Sequence, residues 1–250
     1  MSINLPQKAF ILAAGMGSRL RPYTDTMPKP MVPVEGRALI DHTLEHLEQV
    51  GVTDVTVNIH YMADKIQSHL AAHTRGPRVT FSYEPSLLDT GGGIKKALHT
   101  MENQPFFCFS GDALWEDGSG GNTLERMASA FDPDKMDLLL LLQPVDKMVI
   151  TAGTHDYNLS PAGPVRSRET PKTGKFFWPS IRIIHPRLFD DTPDGPFSFL
   201  TLMDRAEAAG RLGALEHDGT CHHITTPDDL NRVNAHYTEK TPHKTGSKVA

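Results

Sequence analysis

The feature that most constrains the fold is an alternation, from Lys8 to about Gln143, of short apolar runs with segments of helical periodicity. Residues 9–13 are apolar throughout, as expected of a strand buried on both faces. Residues 39–51 instead repeat apolar side chains every three or four positions and end at a glycine, which is typical of an amphipathic helix. Strands that alternate with helices form βα units. We therefore predict an α/β fold, doubly wound around a mostly parallel sheet.

The same two patterns recur along the first half of the chain. Apolar runs predict further strands at residues 55–59, 79–83, 106–109 and 137–143. Helical spacing predicts further helices over residues 62–70, 94–101 and 124–131, the second of them opened by the glycines at residues 91–93. The predicted core spans residues 8–143.

After Pro144 the pattern changes, because prolines and glycines break the chain into short pieces as far as Phe199. We predict a small strand-and-loop annex over about residues 144–225, with strands at 181–184 and 212–216 and a helix at 200–209. Thr226 and Pro227, followed by two aspartates, are typical of a helix start, so a C-terminal helix is predicted over residues 227–237. Residues 1–237 then form one domain, and residues 238–250 a disordered tail.

Composition narrows the class of protein. With 250 residues, 38% of them hydrophobic, the chain is long enough to bury a core without disulfides, and its two cysteines, Cys108 and Cys221, exclude an oxidised framework. A net charge of −5 argues against a nucleic-acid partner. The longest apolar run, residues 138–142, is far shorter than the ~20 residues that span a bilayer. We expect a cytoplasmic protein without a membrane partner, either a monomer or a small homo-oligomer.

A glycine-rich loop follows the first predicted strand. Its glycines allow backbone N–H groups to approach a polyphosphate, and its arginine can pair with phosphate oxygens, although a tight turn without a ligand gives a similar pattern. The candidate nucleotide-binding residues are Leu12, Ala13, Ala14, Gly15, Met16, Gly17, Ser18 and Arg19.

Two familiar phosphate loops can be excluded. A dinucleotide fingerprint needs a third glycine where the chain has Leu20, and a Walker loop needs Gly-Lys-Ser/Thr where it has Leu-Arg-Pro. The chain instead continues as an extended loop that contains Thr24 and then Lys29, which stands between Pro28 and Pro30. Because prolines restrict the backbone, we expect Lys29 to be held beside the glycine turn.

These residues resemble the signature of the sugar-1-phosphate nucleotidyltransferases, a family with a Rossmann-like core. The resemblance extends over about residues 8–236. It is carried by residues 12–24 and 27–34, by Glu84-Pro85 with residues 88–94, by Ser110-Gly111-Asp112, and more weakly by residues 184–189 and 227–230.

The resemblance implies an enzyme that uses a nucleoside triphosphate and a sugar 1-phosphate as substrates. Arg19 and Lys29 are then the catalytic cations, and Asp112 is the catalytic aspartate that binds Mg²⁺, unless it merely caps a turn. Glu84, Gly91 and Gly92 join the nucleotide-binding residues.

One position departs from the family. Many relatives carry a second metal-binding aspartate within a Trp-x-Asp-x-Gly-Thr pattern, where this chain has His223 and, in place of the glycine, Thr225. Imidazole is a poor ligand for magnesium. Three alternatives remain: Mg²⁺ held by Asp112, phosphates and water; Mn²⁺ or Co²⁺ held with His223; or a loss of catalysis. Zinc bound by Cys221, His222 and His223 is disfavoured, because neighbouring residues on a strand point to opposite faces.

The sequence gives fewer indications of which residues bind the sugar. Trp115, Trp178 and Ser180 are the candidate sugar-binding residues, with Arg182 also able to face the acceptor, although Trp115 fits a packing role equally well. Other histidines follow no ligand spacing and are expected on solvated faces: His42, His46, His60, His69, His73 and His99.

Residues 88–94 and the absence of a C-terminal repeat domain resemble most closely the short bacterial members that use UTP and N-acetylmuramate 1-phosphate in cell-wall recycling. The alternatives are a guanylyl- or thymidylyltransferase for mannose or glucose 1-phosphate, and a non-catalytic protein that binds nucleotide sugars.

Overall fold

The computed structural model describes residues 5–73, 75–148 and 155–240. Fourteen strands are found within these ranges: β1 Lys8–Leu12, β2 Pro33–Val34, β3 Arg37–Ala38, β4 Asp54–Ile59, β5 Arg78–Tyr83, β6 Phe106–Ser110, β7 Leu114–Glu116, β8 Leu138–Pro144, β9 Tyr157–Ser160, β10 Gly163–Arg166, β11 Phe176–Phe177, β12 Ile181–Ile184, β13 Leu212–Glu216 and β14 Thr220–His222. The α-helices in the same ranges are α1 Leu39–Gln49, α2 Ala63–Ala71, α3 Asp89–Lys96, α4 Thr123–Ala130, α5 Leu200–Ala208 and α6 Pro227–Lys240.

Ten of the strands form one mixed sheet, in the order β10-β9-β11-β8-β12-β6-β1-β4-β5 with β13 beside β8. Its centre is parallel: β1 pairs with both β4 and β6, and β4 pairs with β5. Strand β12 runs antiparallel between β6 and β8. The predicted α/β fold with a mostly parallel central sheet is confirmed.

Apolar side chains cover both faces of this sheet. Ile11 packs into a cluster with side chains of α1, α2 and α4, whereas Phe10, the residue before it, packs into a second cluster with α3 and α5. Both residues are fully buried, which explains why β1 is apolar throughout rather than alternating. Helices therefore lie on both faces, as the doubly wound prediction requires.

The predicted annex continues the main sheet. Strands β9, β10 and β11 extend it beyond β8, because β11 pairs with both β8 and β9. Strand β12 is internal to the same sheet, β13 pairs with β8, and β14 pairs separately with β7. Residues 149–154 of the predicted annex lie outside the described residues.

Two helices differ from the prediction. Helix α3 begins at Asp89, so the three glycines lie inside it, and residues 98–101 form a separate 3-10 turn. A Cβ at any of the three glycines would lie less than 3 Å from an atom of another segment, and this close packing explains why glycines stand inside the helix. Helix α6 continues to Lys240, three residues beyond its predicted end at Tyr237. Of the predicted disordered tail, residues 241–250 lie outside the described residues.

Helix α6 packs on the long loop that follows β1. Leu230 and Val233 of α6 share a buried cluster with Leu20, Val32 and Val34. This packing against α6 holds the loop in place. Within the described part of the chain, no helix combines the length and the apolar character needed to cross a membrane.

Candidate active site

A cavity of about 790 Å³ lies at the carboxyl ends of the parallel strands. Its walls include Leu12 at the end of β1, Asn58 near the end of β4, Glu84 just after β5, and Asp112 just after β6. This edge of an open α/β sheet is where ligands bind, since successive loops leave a crevice there.

The glycine-rich loop forms one wall of the cavity. Of its predicted nucleotide-binding residues, Met16 alone is absent from the lining, and its side chain is half exposed. The residues that line the wall are Leu12, Ala13, Ala14, Gly15, Gly17, Ser18 and Arg19.

Gly17 explains how this loop meets the lysine that follows it. Its φ of +62° favours glycine, and a Cβ there would lie 3.0 Å from both Lys29 Cβ and Thr24 Cγ2. Thr24 Oγ1 also donates a hydrogen bond to the Gly17 carbonyl, at 2.9 Å. Lys29 therefore lies beside the glycine turn, as its flanking prolines predicted.

Asn58 and Glu84 connect the glycine-rich loop to the residue that precedes α3. Asn58 Oδ1 accepts from the Ala13 amide at 2.7 Å, and its Nδ2 donates to Glu84 Oε1 at 2.7 Å. Glu84 Oε2 accepts from the Leu88 amide at 3.0 Å. Glu84 was predicted to bind nucleotide, whereas the importance of Asn58 was missed. The available signal was an amide in a strand segment, residues 55–59, whose other side chains are all β-branched.

Lys29 and Asp112 meet on the cavity wall. Lys29 Nζ donates to Asp112 Oδ2, and the Ser110 hydroxyl donates to Oδ1 of the same carboxylate. Gly111 permits this approach: its amide bonds the Leu12 carbonyl at 2.7 Å, and a Cβ would lie 2.8 Å from Pro30. The strand ends and the Pro28–Pro30 segment thus interlock around one ion pair.

This environment keeps Asp112 ionised. Burial acts to raise the pKa of the carboxyl, but the charge of Lys29 and the hydrogen bonds from Lys29 and Ser110 outweigh it and hold the pKa below its usual range. Asp112 is consequently an anionic oxygen ligand, the kind that a hard divalent cation prefers.

His223 lies close to this pair without bonding it. Its Nε2 is 2.9 Å from Thr225 Oγ1, and its ring packs edge-on against Phe177 with centroids 4.8 Å apart. Burial lowers the pKa of His223, while the nearby charge of Asp112 acts to raise it. A neutral imidazole beside the carboxylate is compatible with a ligand role and with a packing role.

Gly91 and Gly92 do not line the cavity, contrary to the expectation that they bind nucleotide. Both are buried against the segment that precedes α5: a Cβ on Gly91 would lie 2.3 Å from the Phe197 ring, and one on Gly92 would lie 2.2 Å from the Gly195 carbonyl. Close packing of two segments accounts for these glycines.

Trp115 also lies away from the cavity, so the expectation that it lines the sugar pocket is wrong. It is 2% exposed and stacks between His46 and Phe109 in the core on the α1 face. Residue 115 is on β7, beyond the turn that carries Asp112, and its side chain points back into the core. The alternative packing role is the one observed.

Trp178 and Ser180 do line the cavity. Ser180 has a φ of +60°, uncommon for a residue other than glycine, and its carbonyl accepts from the Ser110 amide at 3.2 Å. The unusual turn at Ser180 thus connects the cavity wall that contains Trp178 to the strand end that precedes Asp112. Arg182 lines the same region.

Contrary to expectation, the histidines do not all lie on solvated faces. His46 is largely buried against Trp115, so its assignment to a solvated face is wrong. His69 and His73 both lie within hydrogen-bonding distance of Asp41 Oδ1, at 2.7 and 3.0 Å, and their four-residue spacing was a signal for this convergence. The three residues of the disfavoured zinc site do separate: Cys221 enters the core, whereas His222 contacts Glu116.

Comparison with known proteins identifies a matching family and similar curated proteins. The model of the nucleotidyl transferase family matches residues 8–148. N-acetylmuramate alpha-1-phosphate uridylyltransferase of Caulobacter vibrioides is 37% identical over 226 residues, which cover 89% of this chain and 93% of that protein. The enzyme of the same name from Neisseria meningitidis is 32% identical, covering 91% and 97%.

A solved structure supports the same fold. The crystal structure of a UDP-glucose pyrophosphorylase complexed with UDP-glucose superposes with a TM-score of 0.76, covering 94% of this chain and 99% of that one. At 14% identity this likeness bears on the fold alone.

Proposed function

The chain belongs to the nucleotidyl transferase family, and from this premise we propose that it transfers a uridylyl group from UTP to N-acetylmuramate 1-phosphate, releasing pyrophosphate. One observation carries the proposal: the glycine-rich loop, Lys29 and Asp112 meet at one cavity at the carboxyl edge of the sheet. Two uridylyltransferases that resemble the chain over nearly its whole length support the choice of base and sugar.

The reaction is an in-line displacement at phosphorus. An oxygen of the sugar phosphate forms a bond to the α-phosphorus of UTP, and the bond from that phosphorus to the bridging oxygen of pyrophosphate breaks. The attacking oxygen is already anionic, so no base is required. Alignment and charge neutralisation are the main tasks of the protein.

The residues of the cavity fit these tasks. Backbone N–H groups of the glycine-rich loop and the exposed Arg19 can receive the triphosphate. Lys29 can contact a phosphate oxygen without a large movement, because Gly17 and the flanking prolines hold its backbone. Trp178 and Ser180 lie on the wall where the sugar would rest.

A divalent cation, most simply Mg²⁺, would be held by Asp112 together with substrate phosphates and water. When bound, it would neutralise charge that develops on the phosphoryl oxygens. The partly buried, ionised carboxylate of Asp112 fits a hard cation. His223 fits a softer ion such as Mn²⁺ or Co²⁺ better than it fits magnesium.

The test is an assay of pyrophosphate release with the purified protein. UTP, GTP, dTTP and CTP are each paired with N-acetylmuramate, N-acetylglucosamine, glucose and mannose 1-phosphates, in Mg²⁺ and in Mn²⁺. We expect the highest kcat/KM for UTP with N-acetylmuramate 1-phosphate. A preference for GTP with mannose 1-phosphate would replace this substrate assignment, and the absence of pyrophosphate from every pair would favour a binding protein.

A further inference from the structure

Arg182 is a buried arginine in the wall of the cavity. The residue is 1% exposed, and it lies on β12 with Cys108 and Leu140 as its neighbours on the adjacent strands. Its guanidinium carbon is 4.2 Å from the centre of the Phe199 ring and 5.1 Å from that of Trp178. An arginine in an otherwise apolar, central part of a sheet requires an explanation.

The charge of Arg182 has no anionic partner among the residues that the structure describes. Its Nε and Nη2 have neither a hydrogen-bond partner nor solvent contact. Cys108 shares a hydrogen bond with the guanidinium, but burial raises the pKa of that thiol to about 11, so the thiol is neutral at pH 7 and supplies no counter-charge. The two aromatic rings offset only part of the lost hydration.

Arg182 also stands apart from the cations that serve the phosphates. Within the described lining of the cavity, the other basic side chains are Arg19 and Lys29, both of the loop after β1, and Lys29 is paired with Asp112. Arg182 instead lies with Trp178 and Phe199 on the wall where the proposed function places the sugar. This position suits an anionic group on the sugar itself.

We infer that Arg182 recognises a carboxylate carried by the sugar, and that the enzyme thereby selects acidic sugar 1-phosphates. The inference rests on the proposed function. A planar guanidinium can donate two parallel hydrogen bonds to a carboxylate, which supplies the missing counter-ion. Pairing requires the guanidinium to turn from the aromatic rings toward the cavity, where Trp178 and Phe199 then flank the apolar part of the acidic substituent.

The test compares two acceptors that differ by this group. N-acetylmuramate 1-phosphate carries a lactyl ether with a carboxylate, and N-acetylglucosamine 1-phosphate has a hydroxyl in its place. In Arg182→Met, we expect kcat/KM for the acid to fall about 100-fold or more, as for a lost buried charge pair, and that for the neutral sugar to change less than about threefold. Arg182→Lys should be intermediate, because it retains charge without the planar fork.

Binding of the two products gives a second readout that does not depend on turnover. By calorimetry, the wild-type protein should bind UDP-N-acetylmuramate more tightly than UDP-N-acetylglucosamine, and Arg182→Met should lose that difference. Equal losses for both acceptors would mean that Arg182 holds their shared phosphate, and unchanged selectivity would mean that it only packs; either result overturns the inference. A wild-type protein that releases no pyrophosphate contradicts the proposed function instead, while the binding comparison still tests Arg182.

Discussion

The ammonium of Lys29 and the carboxylate of Asp112 form an ion pair although they lie 83 positions apart in the sequence. The pair places a cation suited to phosphate directly against an anion suited to a metal. Under the proposed function, a substrate phosphate would replace Asp112 as the partner of Lys29, and a divalent cation would replace Lys29 as the partner of Asp112.

Removing the charge of Asp112 should greatly slow turnover while preserving the fold. In Asp112→Asn the side chain keeps its shape, so we expect kcat to fall on the order of 10²–10³-fold, the typical cost of losing one charge-stabilising group. Pyrophosphate release measures the loss, and circular dichroism checks the fold. The matched control is Asp132→Asn, which removes the acid of the ion pair with the exposed Lys135 and should leave kcat unchanged. Near-normal activity in Asp112→Asn would place the metal elsewhere.

Replacing His223 with aspartate should change the metal preference. A second carboxylate beside Asp112 suits Mg²⁺ better than an imidazole does, so His223→Asp should raise the ratio of activity in Mg²⁺ to activity in Mn²⁺. The measurement is a titration of each metal against kcat. If His223→Asp and His223→Asn give the same ratio as the wild type, His223 serves only to pack against Phe177 and Thr225.

Gly93 should not tolerate a methyl group. A Cβ there would lie 2.6 Å from Glu84 Oε1 and 2.8 Å from Asn58 Nδ2, both of which are buried and bonded to each other. We expect Gly93→Ala to lower the free energy of unfolding by about 2 kcal/mol despite the higher helix propensity of alanine, as for other overpacked sites. Urea denaturation measures the change. Gly15→Ala is the control for stability, since no atom lies within 4 Å of a Cβ at Gly15.

Stability should decline below pH 6.5, in part because of His217. This side chain is fully buried, and burial lowers its pKa despite the opposing charge of Asp218. As pH falls below about 6.5, the unfolded chain binds a proton that the folded protein excludes, so the free energy of unfolding decreases.

The variant His217→Leu should show a shallower decline. For one histidine the difference between pH 6.5 and 5 is at most about 2 kcal/mol. Urea denaturation at several pH values in this interval gives the slope, with His99→Leu, at an exposed position, as the control. A slope in His217→Leu equal to that of the wild type would show that other groups account for the whole dependence.

Much of the core could be predicted because its signals are local. The apolar run of β1 and the helical spacing of α1 reflect burial on two faces and on one stripe, and both were placed to within about two residues. The glycine-rich loop and Lys29 were found because backbone freedom and restriction are properties of glycine and proline themselves.

Roles that depend on packing between distant segments were harder to predict. Gly91 and Gly92 follow the family pattern of residues 88–94, yet their small size is required by Phe197 and Gly195, more than a hundred positions later. Trp115 follows Asp112 closely in sequence, yet its side chain packs into the core on the α1 face of the sheet instead of lining the cavity. Proximity along the chain does not determine the direction in which a side chain points.

The sequence by itself determined the βα alternation, the glycine-rich loop and the identity of the charged residues near the strand ends, because each depends on residue type and short spacing. Only the tertiary structure decided which of these residues meet. The ion pair of Lys29 with Asp112, the Asn58–Glu84 link and the burial of Arg182 between two aromatic rings each join segments tens of residues apart or bury a charge. Such relationships depend on the order in which the strands pair and on the volume left between packed segments. No local stretch of the chain specifies either of them.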